Sequence, residues 1–261
     1  MNERQVEEVK RLVVSRQPKV ELFSEDNHWY RLNGVRKWVP SVTTMIGNVI
    51  SKGYGFHRWL GNHPSYAIAC EERDIAAALG TKVHKYCETL LTKQTIDISK
   101  DTDGDKVWKR LLSFEKWVNT VTPDILAVEY KLVHPDILWS GTPDFVCIID
   151  GSMCMVDIKT GSPYDTHELQ LTCYKMLWDA VIPEYPIDKI LGLYLKDSWK
   201  TKVEPLCKEY NFIPKVADAT RSIWEWQNGS NAQPNMKPSV KTTFSIKETV
   251  NDERRTPELI L

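Results

Sequence analysis

Long apolar runs are missing from this chain. No stretch approaches the roughly 18 consecutive apolar residues that a membrane-spanning helix needs, so no membrane partner is expected. The first residues, MNERQVEEVKRLVV, carry acids and no apolar core, and resemble neither a secretory signal nor a transit peptide. Cysteine is scattered: Cys70, Cys87, Cys147, Cys154, Cys173 and Cys207 form no CxxC pair and no short-spaced group. That pattern points to reduced core thiols and argues against a disulfide framework or a metal–thiolate centre. A charge of one sign is also missing, because 34 basic and 35 acidic residues leave a formal net charge of -1. No global positive field marks the chain as a nucleic-acid binder, so any such surface has to be local. There is no GxxxxGK[ST] phosphate loop, which assigns any unwinding of a duplex to a partner. A soluble, cytoplasmic protein is expected.

What is present fits one principal domain: 261 residues at 42% apolar composition are enough for one well-packed core. Residues 3 to 16 have helical spacing of Val6, Leu12, Val13 and Val14. In HWYRLNGVRKWVPSVTTMI, Asn33-Gly34 lies between two aromatic and β-branched runs, which predicts a hairpin. Pro40 should end its second strand and Ser41 should cap a helix. From Ser65 to about Lys93 the pattern is helical with a break at Gly80. Val83, Cys87, Leu90 and Leu91 form one stripe, and His84 and Glu88, at i and i+4, share another part of the surface. Residues 105 to 119 predict a further amphipathic helix.

Residues 125 to 133, 142 to 149 and 153 to 159 then read as three consecutive strands in an antiparallel meander. DTHELQLTCYKMLWDAV is helical, with Asp165 and Glu168 spaced as a capping box. Residues 189 to 196 read as a strand and KVADATRSIWEWQ as a helix. The alternation predicts an α/β fold with a central mixed sheet flanked by helices. Beyond about Gly229 the chain is polar and proline-bearing, as a tail would be.

The segment SGTPDFVCIIDGSMCMVDIKTG poses a chemical question. A tight turn at Asp150-Gly151 would fold two apolar strands side by side and bring Asp144 close to Asp157. Burying either carboxylate uncompensated is costly, and a divalent cation is a natural compensation. Hard Mg²⁺ prefers oxygen ligands, which two carboxylates and the Ile158 carbonyl supply. Lys159, two residues past Asp157, shares its face. There it could stabilise charge on a phosphoryl centre or assist deprotonation of water. These residues alone equally allow a structural hairpin with a surface ion pair between Asp157 and Lys159.

GTPDF followed by VDIKTG resembles the signature of the PD-(D/E)XK nucleases. QLTCY (Gln170 to Tyr174) is similar to the QxxxY element of their RecB-like branch. GTKVHKYCE resembles that branch's upstream helix, in which a histidine is a metal ligand. PSVTTMI, with Lys52 and Trp59 downstream, is similar to the leading segment of phage exonucleases and of the mitochondrial genome maintenance exonuclease. The elements occur in order between Pro40 and Tyr174.

The resemblance implies a restriction-endonuclease-like core over residues 28–228, an N-terminal helical extension over 1–27 with a hairpin following it, and a tail over 229–261. It implies a metal-dependent DNA exonuclease using Mg²⁺ or Mn²⁺. Asp144 and Asp157 would bind the metal with the Ile158 carbonyl and His84, and Lys159 would be the catalytic lysine. Glu88 would orient a metal ligand or hold a second metal, or else be a solvated partner for charge on the Lys85 side, and Glu129, on the strand before GTPD, would do the same or point away from the site. Gln170, Tyr174, Ser41 and Thr43 would contact substrate, and Trp29, Trp38 and Trp59 lie where a single strand would approach. No close C-terminal cysteine group is present, so no iron-sulfur cluster is expected. Expected partners are DNA with a free end and a single-strand annealing or binding protein or a helicase, in a bacterial or phage-infected cell. A structure-specific or restriction-type endonuclease, and a non-catalytic nucleic-acid-binding protein of the same fold, are the alternatives.

Overall fold

The computed structural model describes residues 3–23, 28–34, 36–99, 101–134, 136, 139–195, 204–229 and 232–234. Most of the expected tail therefore lies outside the described residues. Helix α1 (Glu3–Ser15) buries Val6, Val9 and Val13, the spacing of a single apolar stripe. Strands β1 (Val20–Phe23), β2 (Trp29–Leu32) and β3 (Val39–Pro40) follow as a small antiparallel sheet in that order.

The expected hairpin forms, with β2 and β3 antiparallel, but its loop is longer than Asn33-Gly34 alone. β2 meets β3 only through Trp29 opposite Pro40 and Tyr30 opposite Val39, while all four residues of β2 pair on its other side with the unforeseen β1. Asn33 and Gly34, the latter at φ 83°, make a turn inside a longer connection rather than a two-residue loop. Ser41 caps α2 (Val42–Val49) as expected, accepting a hydrogen bond from Thr44 N at 3.1 Å.

After α3 (Tyr54–Gly61) comes α4 (Tyr66–Leu91), which runs through Gly80 without the expected break. The glycine serves packing instead. A methyl group there would sit 3.1 Å from Thr160 Oγ1, so the small residue lets the helix lie against the chain that follows Lys159. Helix α5 (Gly104–Val121) matches the expected amphipathic segment.

The expected antiparallel meander is present in the central sheet, but its first strand is cut short. Its first strand is two: β4 (Asp124–Val128) and β5 (Leu132–His134), separated at Glu129, whose φ is 49°. A residue in the left-handed region cannot continue a strand. β5 leaves to pair with β6 (Trp139–Gly141) in a two-stranded sheet of its own. Glu129 is thus at a break and not on a strand. β4 instead pairs antiparallel with β7 (Phe145–Ile149), which pairs with β8 (Ser152–Lys159). The β7–β8 turn at Asp150 (φ 49°) and Gly151 (φ 79°) is as expected.

Helix α6 (Asp165–Val181) crosses from β8 to the parallel strand β9 (Lys189–Tyr194). Its start corrects the expected capping box: the Tyr164 N–H donates to His167 Nδ1 at 3.4 Å, while Glu168 accepts from the Asn211 backbone at 2.9 Å. β10 (Leu206–Tyr210) then pairs antiparallel with β9, and α7 (Pro214–Asn228) closes the described chain. The central sheet has the order β10-β9-β8-β7-β4 and is mixed, with helices on both faces. Strand β8 lies in its middle and is buried throughout except at its ends, as a central strand covered on both sides must be.

Alternation along β7 and β8 divides their side chains between two cores. Phe145, Cys147, Cys154, Val156 and Ile158 join Val83, Cys87, Leu111 and Phe114 of α4 and α5. Val146, Ile148, Met153 and Met155 face the opposite cluster, with Leu169, Cys173 and Tyr174 of α6 and the stripe of α1. No described helix is long and apolar enough to cross a membrane.

Candidate functional site

β7 begins at Phe145, so β8 outruns it: the last pair is Phe145 opposite Val156. Asp157, Ile158 and Lys159 therefore have β9 on one side and, among the described residues, no strand on the other. Into that gap the chain before β7 inserts the Asp144 side chain. Its Oδ2 accepts the Ile158 N–H at 2.5 Å, replacing the ladder bond that β7 no longer supplies. In an extended strand a residue's N–H and C=O point to the same side, so the Ile158 carbonyl also faces the gap.

His84 comes from α4, one residue past the buried Val83, and its Nδ1 lies 2.9 Å from Asp144 Oδ1. Asp157 and Lys159 continue the alternation of Met153 and Met155 and so face α6. Lys159 Nζ lies 2.5 Å from Asp157 Oδ2 and donates to Gln170 Oε1 at 3.0 Å. Gln170 Nε2 in turn approaches Asp157 Oδ1 at 3.4 Å and donates to the Tyr174 hydroxyl at 3.1 Å. The i, i+4 spacing of Gln170 and Tyr174 is what lets one helix face reach both.

Asp157 is only 3% exposed. Its Oδ2 forms an ion pair with Lys159 that lacks hydrogen-bond alignment, and among the described residues no other donor reaches it. A buried carboxylate oxygen in that condition is costly and fits a hard cation, as does a donor set of Asp144, Asp157 and the Ile158 carbonyl. Among the described residues, no three His, Cys, Asp or Glu side chains converge closely enough to make a ligand set by themselves.

The electrostatics are those of a partly closed pocket of opposite charges. Burial raises the Asp157 carboxyl above the ordinary range, and Lys159 opposes it. Burial would depress Lys159, but the Asp157 charge outweighs it and holds the ammonium up. His84 behaves likewise, pulled down by burial and raised on balance by Asp144. Burial, with Asp144 and Glu88 nearby, pushes Glu129 up to about 7, which fits a carboxylic acid at the rim of a negative site.

The remaining sequence-predicted residues are more dispersed. Glu129 donates its backbone N–H to the Asp144 carbonyl at 2.8 Å, so it braces the site although it left the strand. Glu88 pairs with Lys85 at 2.8 Å. Ser41 is buried, occupied as a cap, and bridged to Ser140 on β6, whereas Thr43 is exposed. Trp29 and Trp38 are core residues. Sequence reasoning missed two supports. Tyr30 OH lies 3.0 Å from Thr142 Oγ1, tying the small sheet to the chain before Asp144. At Gly141 a methyl group would stand 2.3 Å from the Tyr174 ring. The glycine of GTPD is thus required by a side chain 33 positions away, which local pattern could not reveal.

No protein-family profile matches the chain, and no curated protein matches it. Among solved structures, an alkaline exonuclease from Laribacter hongkongensis is similar over 72% of this chain and 88% of its own, at 10% identity and a TM-score of 0.38. The protein SSO0001 is similar over 58% of this chain and 87% of its own, at 11% identity and a TM-score of 0.30. Likenesses this distant leave function to the residues themselves.

Proposed function

We propose that this chain is a divalent-metal-dependent deoxyribonuclease, an exonuclease that hydrolyses phosphodiester bonds from DNA ends. The observation that carries the reading is the gap where β8 outruns β7. A histidine, two carboxylates, a backbone carbonyl and a lysine meet there, and the buried Asp157 carboxylate is ion-paired with Lys159. Asp144, Asp157 and the Ile158 carbonyl would hold Mg²⁺ or Mn²⁺, with His84 as the expected further donor. When bound, the cation supplies charge stabilisation at a phosphate and makes water more acidic.

The chain's own residues do the rest. His84 and the Ile158 N–H hold both oxygens of Asp144, so that carboxylate cannot rotate away. Gln170 grips Lys159 from the α6 side and aims the ammonium across the gap. There it donates to a non-bridging phosphate oxygen, whose negative charge grows in the transition state, or helps take a proton from the attacking water. Tyr174, wedged against Gly141, keeps Gln170 in place.

Digestion of linear single- and double-stranded DNA labelled at either end, with Mg²⁺ or Mn²⁺ and with EDTA, tests this reading. Stepwise loss from one end that stops in EDTA is expected. Cleavage of closed circular single strands would replace the exonuclease by an endonuclease, and no cleavage of any substrate would remove the enzyme.

A further inference from the structure

The net charge of -1 conceals a segregation of charge along the chain. Although the protein has 35 acidic residues, residues 27–70 contain no aspartate or glutamate and carry Arg31, Arg36, Lys37, Lys52 and Arg58. Among the described residues none of Arg36, Lys37, Lys52 or Arg58 is ion-paired, whereas Arg31 is held by Glu21. At the middle of this segment lies α3, which buries none of its residues.

Its aromatic rings are organised despite that exposure. Phe56 and Trp59 stack with centroids 5.7 Å apart and planes at 29°, and Lys52 Nζ stands 5.8 Å over the Phe56 ring. Tyr54 is 81% exposed. Both ends of the segment lead to the candidate site: Ser41 bridges to Ser140, four residues before Asp144, and α4 delivers His84.

We propose that α3 and Lys52 form a binding surface for a single-stranded polynucleotide, with Lys52 and Arg58 on phosphates and with Tyr54, Phe56 and Trp59 stacking on bases. This rests on the nuclease reading only for the reason a strand would be there. Flat rings interleaved with cations, in a segment free of carboxylates, match a polyanion whose bases have open faces. A paired duplex hides those faces. A lipid surface calls for an aliphatic stripe, and α3 offers Leu60 alone.

The test is binding of a fluorescein-labelled oligothymidine to the full-length protein in EDTA, where no cleavage intervenes. Trp59→Ala should weaken binding roughly tenfold, as expected for one lost stack, and Trp59→Phe should restore most of it. Lys52→Ala with Arg58→Ala should make the dependence of log K on log salt shallower by about 1.4. Lys215→Ala on α7 should bind as wild type. The proposal is overturned if the α3 variants, folded by circular dichroism, bind like wild type, if Lys215→Ala loses as much, or if anionic vesicles bind better than the oligonucleotide. Binding that depends on α3 with no cleavage in Mg²⁺ would keep the surface and sink the nuclease.

Discussion

The two faces of β8 begin alike and end differently. Toward α4 and α5 the strand presents Cys154, Val156 and Ile158, apolar to its end. Toward α6 it presents Met153 and Met155 and then, in the same alternation, Asp157 and Lys159. The first face spends its whole length on cohesion. The second gives up its last two positions, leaving a buried carboxylate that burial makes reluctant to ionise and a lysine that opposes this. Such a pair is weak evidence for stability, because desolvation of both charges offsets their attraction. A fold that places it beside the gap left by β7 is using the sheet's cohesion to hold charges where, on the proposed function, a cation and a phosphate would bind.

This contrast can be broken at either face. On the polar face Asp157→Asn keeps the shape and the contact with Gln170 but removes the charge. Cleavage in a single-turnover assay with Mg²⁺ should fall by roughly 10³-fold, and the thermal midpoint should drop as well, because the buried Lys159 loses its partner. Undiminished cleavage would show that the charges there serve packing alone. On the apolar face Phe145→Ala empties a fully buried site between α5 and the sheet. It should cost about 3–5 kcal/mol in denaturant unfolding, while the molecules that remain folded cleave as before.

Much of this contrast was legible in the sequence. The β7–β8 hairpin, its turn at Asp150-Gly151 and the shared face of Asp157 and Lys159 follow from local pattern, because period-2 alternation and a turn need only neighbouring residues. What was not legible depends on distant partners. Gly80 reads as a helix breaker, yet α4 continues, because tertiary packing against Thr160 outweighs the modest helix penalty of glycine. Glu129 stands in an unbroken run of strand formers, and only the hydrogen bond to the Asp144 carbonyl and the departure of β5 reveal the turn. His84 was singled out by resemblance, and one of the two readings of Glu88, a solvated partner for charge on the Lys85 side, matches its pairing with Lys85.

The contrast sharpens if the polar face is made apolar. Asp157→Leu with Lys159→Met removes the buried pair together, so neither charge is stranded. The double variant should be unchanged or more stable by about 1–4 kcal/mol, and inactive. A large loss of stability would mean that the pair holds the sheet end together.

The smallest expected effect tests how far the polar face extends. His167, at the start of α6, contacts the Tyr194 hydroxyl at 2.8 Å through Nδ1, and burial, with Lys159 and Lys208 nearby, lowers its pKa to about 4. An unfolded histidine titrates near 6.5, so between these values the unfolded chain binds the proton that the folded chain refuses. His167 therefore contributes stability that is present above about pH 6.5 and lost as pH falls toward 4. The side chain is partly solvated, so screening limits the effect to a shift of roughly a few degrees in thermal midpoint across that window. His167→Gln should flatten this part of the pH profile. If it does not, burial at the helix start does not hold His167 neutral, and the imidazole takes up its proton in the folded chain as readily as in the unfolded one.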